Sequence, residues 1–82
     1  MITLCQIRAA RAMLGLKQRE LAMKAGISIG TLNNIERGTQ TNSKLSTLCS
    51  LRNALEAEGI EFMEQDGEQG VRLKMPALRK AL

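Results

Sequence analysis

Apolar residues recur along this chain at helical spacing first and at strand spacing later. Leu4, Ile7, Ala10 and Leu14 fall three and four apart, the stripe of an amphipathic helix. Thr3 and Gln6 have the spacing of a capping box at its start, Ile2 and Ile7 that of a hydrophobic staple, and Gly15 ends it. A second helix runs from Lys17 or Gln18 to Ala25, with Leu21, Ala22 and Ala25 apolar. Lys17 stands where a Ser or Thr cap is expected, and its charge is unfavourable at a helix N-terminus unless a phosphate lies there. Gly26 suits a tight turn, Ile27 anchors it, and Ser28 is a good N-cap for a third helix reaching Arg37. Leu32 and Ile35 face inward on that helix and Gly38 lies just past its end.

A polar loop, Thr39 to Ser43, follows, with Asn42 or Ser43 able to cap a fourth helix. Leu45, Leu48, Leu51 and Leu55 form its core stripe, Cys49 and Ala54 lie near that stripe, and Gly59 stops it. The period then changes to two. Ile60 and Phe62 alternate with Glu61 and Met63, and Val71, Leu73 and Met75 with Arg72 and Lys74. Turn chemistry from Gln65 to Gly70 separates the two runs, which predicts a β-hairpin with one apolar face. Glu61 can pair across it with Arg72 and Lys74. Pro76 ends the second strand. The organisation is thus a helical body over residues 1–59, a hairpin over 60–76 and a tail over 77–82.

Size and charge narrow what such a body can do. Eighty-two residues make one small domain, and with Phe62 as the only aromatic the core must be aliphatic and Met-rich. Chains this short often gain stability by oligomerising. Residues 1–55 carry eight basic side chains against two acidic ones, residues 56–70 carry six acidic and no basic ones, and residues 71–82 carry four basic ones. A basic body with an acidic segment beside it suits a protein that turns one face to a polyanion. No run approaches the ~20 apolar residues of a membrane span, so a cytoplasmic protein is expected, nucleoid-associated when bound to DNA. Cys5 and Cys49 lack metal-ligand spacing and the chain has no His; they are expected to be reduced, buried small hydrophobes. No metal, cofactor or small-molecule ligand is implied. Asp66 is the sole Asp and neither Cys has a base nearby in sequence, which argues against an enzyme. The stacking aromatics that single-stranded RNA favours are absent.

The residues that carry the strongest signal are QRELAMKAGISIGTLNNIERG, 18 to 38, a helix-turn-helix pattern that leaves Ile29, Thr31, Asn33, Asn34 and Arg37 outward. Extended to residues 7–59, with L-G-L-x-Q-x-x-L-A and A-G-I-S-x-x-T-L-x-x-I-E-x-G, the chain resembles the phage repressor and Cro-type helix-turn-helix family, also called the xenobiotic-response-element (XRE) family. The segment GIEFMEQDGEQGVRLK looks like the tail of small bacterial or phage members. The resemblance implies a mainly α fold, a compact bundle of four or five helices followed by the hairpin. It also implies a sequence-specific regulator of transcription, a homodimeric repressor on a palindromic operator in double-stranded DNA.

Carried over position by position, the resemblance makes Ile29, Gly30, Thr31, Asn33 and Asn34 the base-facing set. Asn34 is the leading candidate, since its amide can bond bidentately to adenine. Gly30 has no side chain where the family often carries a polar reader, and Ile29 offers apolar contact alone. Gln18 looks like the family's glutamine that touches phosphate and buttresses the recognition helix. Lys17, Arg19, Ser28, Arg37, Thr39, Thr41, Asn42 and Lys44 are the other phosphate candidates. Arg11 and Glu36 match an internal ion pair. The hairpin, through Ile60, Phe62, Val71, Leu73 and Met75, is the expected dimerisation element. Its apolar face must pack on something: either the hairpin folds back on the fourth helix or, the favoured arrangement, it pairs with its twin across a two-fold axis to make a larger sheet. The alternative function is an antitoxin-type DNA-binding protein, whose acidic segment Glu56 to Glu68 would also engage a toxin.

Overall fold

A computed structural model of the chain describes residues 2–39 and 44–74. Thr41, Asn42, Met75 and the 77–82 tail, all assigned places above, lie outside the described residues. Four helices precede two strands: α1 (Leu4–Leu14), α2 (Gln18–Ala25), α3 (Ile29–Arg37), α4 (Leu45–Ala57), β1 (Ile60–Gln65) and β2 (Glu68–Leu73).

The helix starts follow their local chemistry. The Thr3 hydroxyl accepts from the Gln6 N–H at 3.3 Å and the Gln6 amide oxygen accepts from the Thr3 N–H at 3.0 Å, closing the capping box. Ile2 and Ile7 are both buried beneath it. At α2 only half of such a box forms: Glu20 accepts from the Lys17 N–H at 2.9 Å, while the Lys17 side chain has no acceptor to offer in return. The Ser28 hydroxyl caps α3 by accepting from the Thr31 N–H at 3.1 Å. The expectation that Asn42 or Ser43 caps α4 is corrected: the helix starts later, with Lys44 at its N-cap, and the Lys44 side chain makes no cap.

Ile7, Leu21, Leu32, Leu51 and Leu55 are the largest fully buried side chains, one or two from each helix, and they make a single aliphatic core. Each contributes about 1.5–3 kcal/mol by leaving water. Two expectations fail here. Leu45, assigned to the stripe of α4, is 58% exposed. It opens the helix, and a helical side chain lies over the turn N-terminal to its own Cα, here beyond the packed layer. Cys5 and Cys49 are exposed rather than buried. Each precedes a fully buried residue, Ile7 or Leu51, by two positions, which puts it about 200° round the helix from the core.

The hairpin pairs Ile60 with Leu73, Phe62 with Val71 and Gln65 with Glu68 in antiparallel register. Asp66 (φ 54) and Gly67 (φ 78) make a two-residue turn with both central residues at positive φ, the type I′ geometry of Asp-Gly hairpins. Gln65, Glu68, Gln69 and Gly70 therefore belong to the strands, where the pattern had suggested a longer turn. Gly59 is held by a close approach: it has φ 101, accepts from the Lys74 N–H at 2.8 Å, and an added Cβ would meet the Lys74 carbonyl oxygen at 2.6 Å.

The apolar face of the hairpin is covered by its own chain. Ile60 is buried and Phe62, Val71 and Leu73 pack against the helical core, with β2 lying on α1 and β1 on α4. Of the two arrangements weighed, the face folds back on its own bundle, onto α1 as well as α4, which leaves pairing with a twin to the edges of the hairpin. Gln6, only 5% exposed, fastens the join. Its Nε2 donates to the carbonyls of Met63 at 3.2 Å and Gly70 at 3.0 Å, both members of one cross-strand pair.

Candidate nucleic-acid interface

One sharp turn sets the site. Gly26 closes α2 in the left-handed region at φ 71, and Ser28 starts α3 three residues after α2 ends. Leu21 and Ala22 of α2 are buried with Leu32 and Ile35 of α3 in the same core. The small Ala22 side chain, 3% exposed, lets the helices approach.

A continuous polar network then locks α3 to α1 and to the start of α2. Arg11 holds Glu36 with two parallel hydrogen bonds of 2.9 Å, from Nε and Nη2, and its Nη1 donates to the Leu16 carbonyl at 3.1 Å. The Glu36 side chain is 4% exposed, so this bidentate pairing is what allows a carboxylate there at all. Glu36 also accepts from Gln18 Nε2 at 3.2 Å. A carboxylate can only accept, which fixes the orientation of the Gln18 amide and leaves its oxygen to accept from Asn33 Nδ2 at 3.2 Å. Arg37 Nη1 reaches Asn33 Oδ1 at 3.5 Å and completes the chain. Among the described residues no buried side-chain polar atom lacks a partner.

The network separates the candidate readers. Asn33 is half-buried and engaged at both ends of its amide. Asn34, Gly30 and Ile29 are exposed, and the Asn34 side-chain amide makes no hydrogen bond among the described residues, its backbone carbonyl alone being used by Thr39. The Thr31 hydroxyl accepts from Ser28 at 2.8 Å and keeps its own proton to donate. The Thr39 hydroxyl donates to the Asn34 carbonyl at 3.2 Å, so it fastens the end of α3.

Around this network the surface is basic. One open depression is lined by Arg11, Lys17, Gln18, Arg19, Glu20 and Ile29, and another by Leu4, Arg8, Arg11, Gln18, Glu36 and Arg37. Arg8, Lys17, Arg19 and Arg37 are exposed there, whereas Glu36 is neutralised by Arg11 and Glu20 is occupied at the α2 start. Arg8 was not singled out for the site by its sequence context. Its signal was its position three residues before Arg11, on the same side of α1. Lys44 is exposed at the start of α4 and lines neither depression. No group of His, Cys, Asp and Glu able to hold a metal ion occurs among the described residues, and no helix there is long and apolar enough to cross a membrane.

Two helices joined by a tight glycine turn, the second carrying exposed polar groups beside a basic rim, define a helix-turn-helix DNA-binding protein. The helix-turn-helix family model matches residues 7–62, and the chain belongs to that family, in its XRE type: it is a DNA-binding transcriptional regulator. A search of curated proteins finds no match to the chain.

Proposed function

We propose that the protein is a homodimeric repressor that reads a palindromic operator in double-stranded DNA with α3 in the major groove. The observation that carries the reading is the division of labour on α3. Leu32, Ile35 and Glu36 are buried and fixed, and Ile29, Gly30 and Asn34 are left exposed on the far side. Asn34 is the direct base reader, through its unengaged amide. Thr31 and Ile29 flank it, Ile29 by apolar contact to a thymine methyl. Asn33 acts through Gln18, which it orients; the second N–H of Gln18 and the free N–H groups at the start of α2 face a phosphate. That phosphate would resolve the misplaced cation at Lys17. Arg8, Arg19, Ser28 and Arg37 supply further backbone contacts and Lys44 a more distant one. Occlusion of polymerase suffices for repression, and the protein works in the cytoplasm as a binding protein, not an enzyme.

Selection of bound sites from random duplex DNA tests this. Two half-sites about 34–36 Å apart are expected. Asn34→Ala should then weaken binding to the selected site by about 1–3 kcal/mol and random DNA much less. Enrichment of no palindrome, or equal loss on both DNAs, would contradict the proposal.

A further inference from the structure

With the apolar face of the hairpin covered, what it leaves open among the described residues is the outer edge of β2, and that edge is complementary to itself. We infer that two copies of the chain join by antiparallel pairing of β2 with β2, centred on Val71; this rests on the homodimer proposed above and names its surface.

The hydrogen-bonding groups follow from the register. The two-residue turn makes Gln65 and Glu68 the first bonded pair, and bonded pairs alternate along an antiparallel ladder. Met63 with Gly70 and Glu61 with Arg72 are therefore bonded pairs, continued by Lys74 with Gly59. Gln69, Val71 and Leu73 accordingly turn their N–H and C=O groups away from β1. Among the described residues no other backbone segment bonds to them. A two-fold axis at Val71 sets Val71 against the partner's Val71 and Gln69 against the partner's Leu73. All three are outward-facing positions, so each opposed pair exchanges two hydrogen bonds. The same axis sets Glu68 opposite the partner's Lys74, on the outer face of the sheet and twice by symmetry.

Charge selects this edge over the other. Glu61 and Glu64 are the charged residues of β1, which has no base, so β1 would meet its own copy with acid alone. β2 begins with Glu68 and is followed by Lys74, the acid-to-base order that antiparallel self-pairing requires. Lys74 holds Glu61 at 2.8 Å in its own chain but remains 58% exposed, and its ammonium has donors to spare for a second carboxylate. A natural sheet edge is ordinarily protected against pairing by its charges; these charges instead specify one register.

Sedimentation of the full chain over a dilution series at low salt reads the result. Glu68→Lys alone places like charges opposite Lys74 at two symmetric sites, and Lys74→Glu alone does the same with acids. Each should weaken the dimer on the order of tenfold. An equimolar mixture of the two variants restores both opposite-charge pairs in a mixed dimer and should recover near-native affinity. Gln69→Pro removes an outward N–H that the hairpin itself does not use, and should also weaken association. A dimer indifferent to all three changes would overturn the edge pairing and leave the homodimer to another surface. A native chain that stays monomeric at every concentration and binds DNA singly would remove the homodimer itself.

Discussion

Gln6→Glu should separate two jobs that one side chain performs. Glutamate serves a capping box as well as glutamine does, so the acceptor for the Thr3 N–H survives. What disappears is the N–H₂ group that donates to the Met63 and Gly70 carbonyls at 3.2 and 3.0 Å. An ionised carboxylate would instead face two carbonyl oxygens at a site 5% exposed, an unpaired buried charge of about 3–5 kcal/mol. The folded chain can escape by protonating the carboxyl. That costs about 1.4 kcal/mol per pH unit above an ordinary pKa near 4.3, so nearly 4 kcal/mol at pH 7. The penalty at neutral pH is therefore about 3–4 kcal/mol, against a total stability of roughly 4–12 kcal/mol for a chain of this size. The sign with pH follows from a folded-state pKa raised above the unfolded one. The penalty is small below about pH 4.3, where both states are protonated, and grows as pH rises. Urea denaturation followed by circular dichroism at pH 4 and pH 7.5 measures it, with the native chain as reference at each pH. Hydrogen exchange at the hairpin amides shows whether the hairpin detaches before the body unfolds. A variant within about 0.5 kcal/mol of native at pH 7.5, or a loss independent of pH, would refute the clip.

Arg11→Met removes the partner of a carboxylate that is 4% exposed, and should cost about 3–5 kcal/mol of stability by thermal or urea denaturation, with Glu36→Gln in the same background recovering part of it. Gly30→Ala meets open space and ordinary backbone geometry, so α3 should gain up to about 1 kcal/mol. If DNA affinity nevertheless falls, the glycine is kept for close approach to DNA; unchanged affinity would dismiss that role. The hydrogen bond from Lys74, helped by the charge of Arg72, holds the Glu61 carboxyl below the usual carboxylate range. Its stabilising effect is present above the ordinary glutamate pKa and is lost as pH falls through the depressed value. Carboxyl chemical shifts in a pH titration should show this, with Lys74→Ala moving the midpoint upward.

Much of the molecule can be read from short stretches. The Thr3–Gln6 box, the Ser28 cap, the Gly26 turn and the Asp66-Gly67 hairpin depend on residues within a few positions of one another, so their chemistry is written locally. The family pattern rests on the same stretch, which is why the helix-turn-helix and the inward Leu21, Leu32 and Ile35 were legible. The outward positions of α3 were legible as a set but not in their contacts. Asn33 and Asn34 are adjacent and chemically identical, and only the position of Gln18, 15 residues earlier, makes one of them a brace and leaves the other free.

The same division runs through the whole fold. Periodicity and capping establish which segments are helix or strand, and which face of each is apolar, because both are properties of neighbours along the chain. Gln6 meets carbonyls 57 and 64 residues away, and the hairpin lies on α1 and α4 rather than awaiting a partner. Leu45 is exposed because, among the described residues, no element packs over the start of α4, whereas the exposure of Cys5 and Cys49 follows from their helical spacing to Ile7 and Leu51. An apolar stripe states that a surface must be covered; which surface covers it depends on how the elements fit together in space, and that choice leaves the edge of β2 open among the described residues.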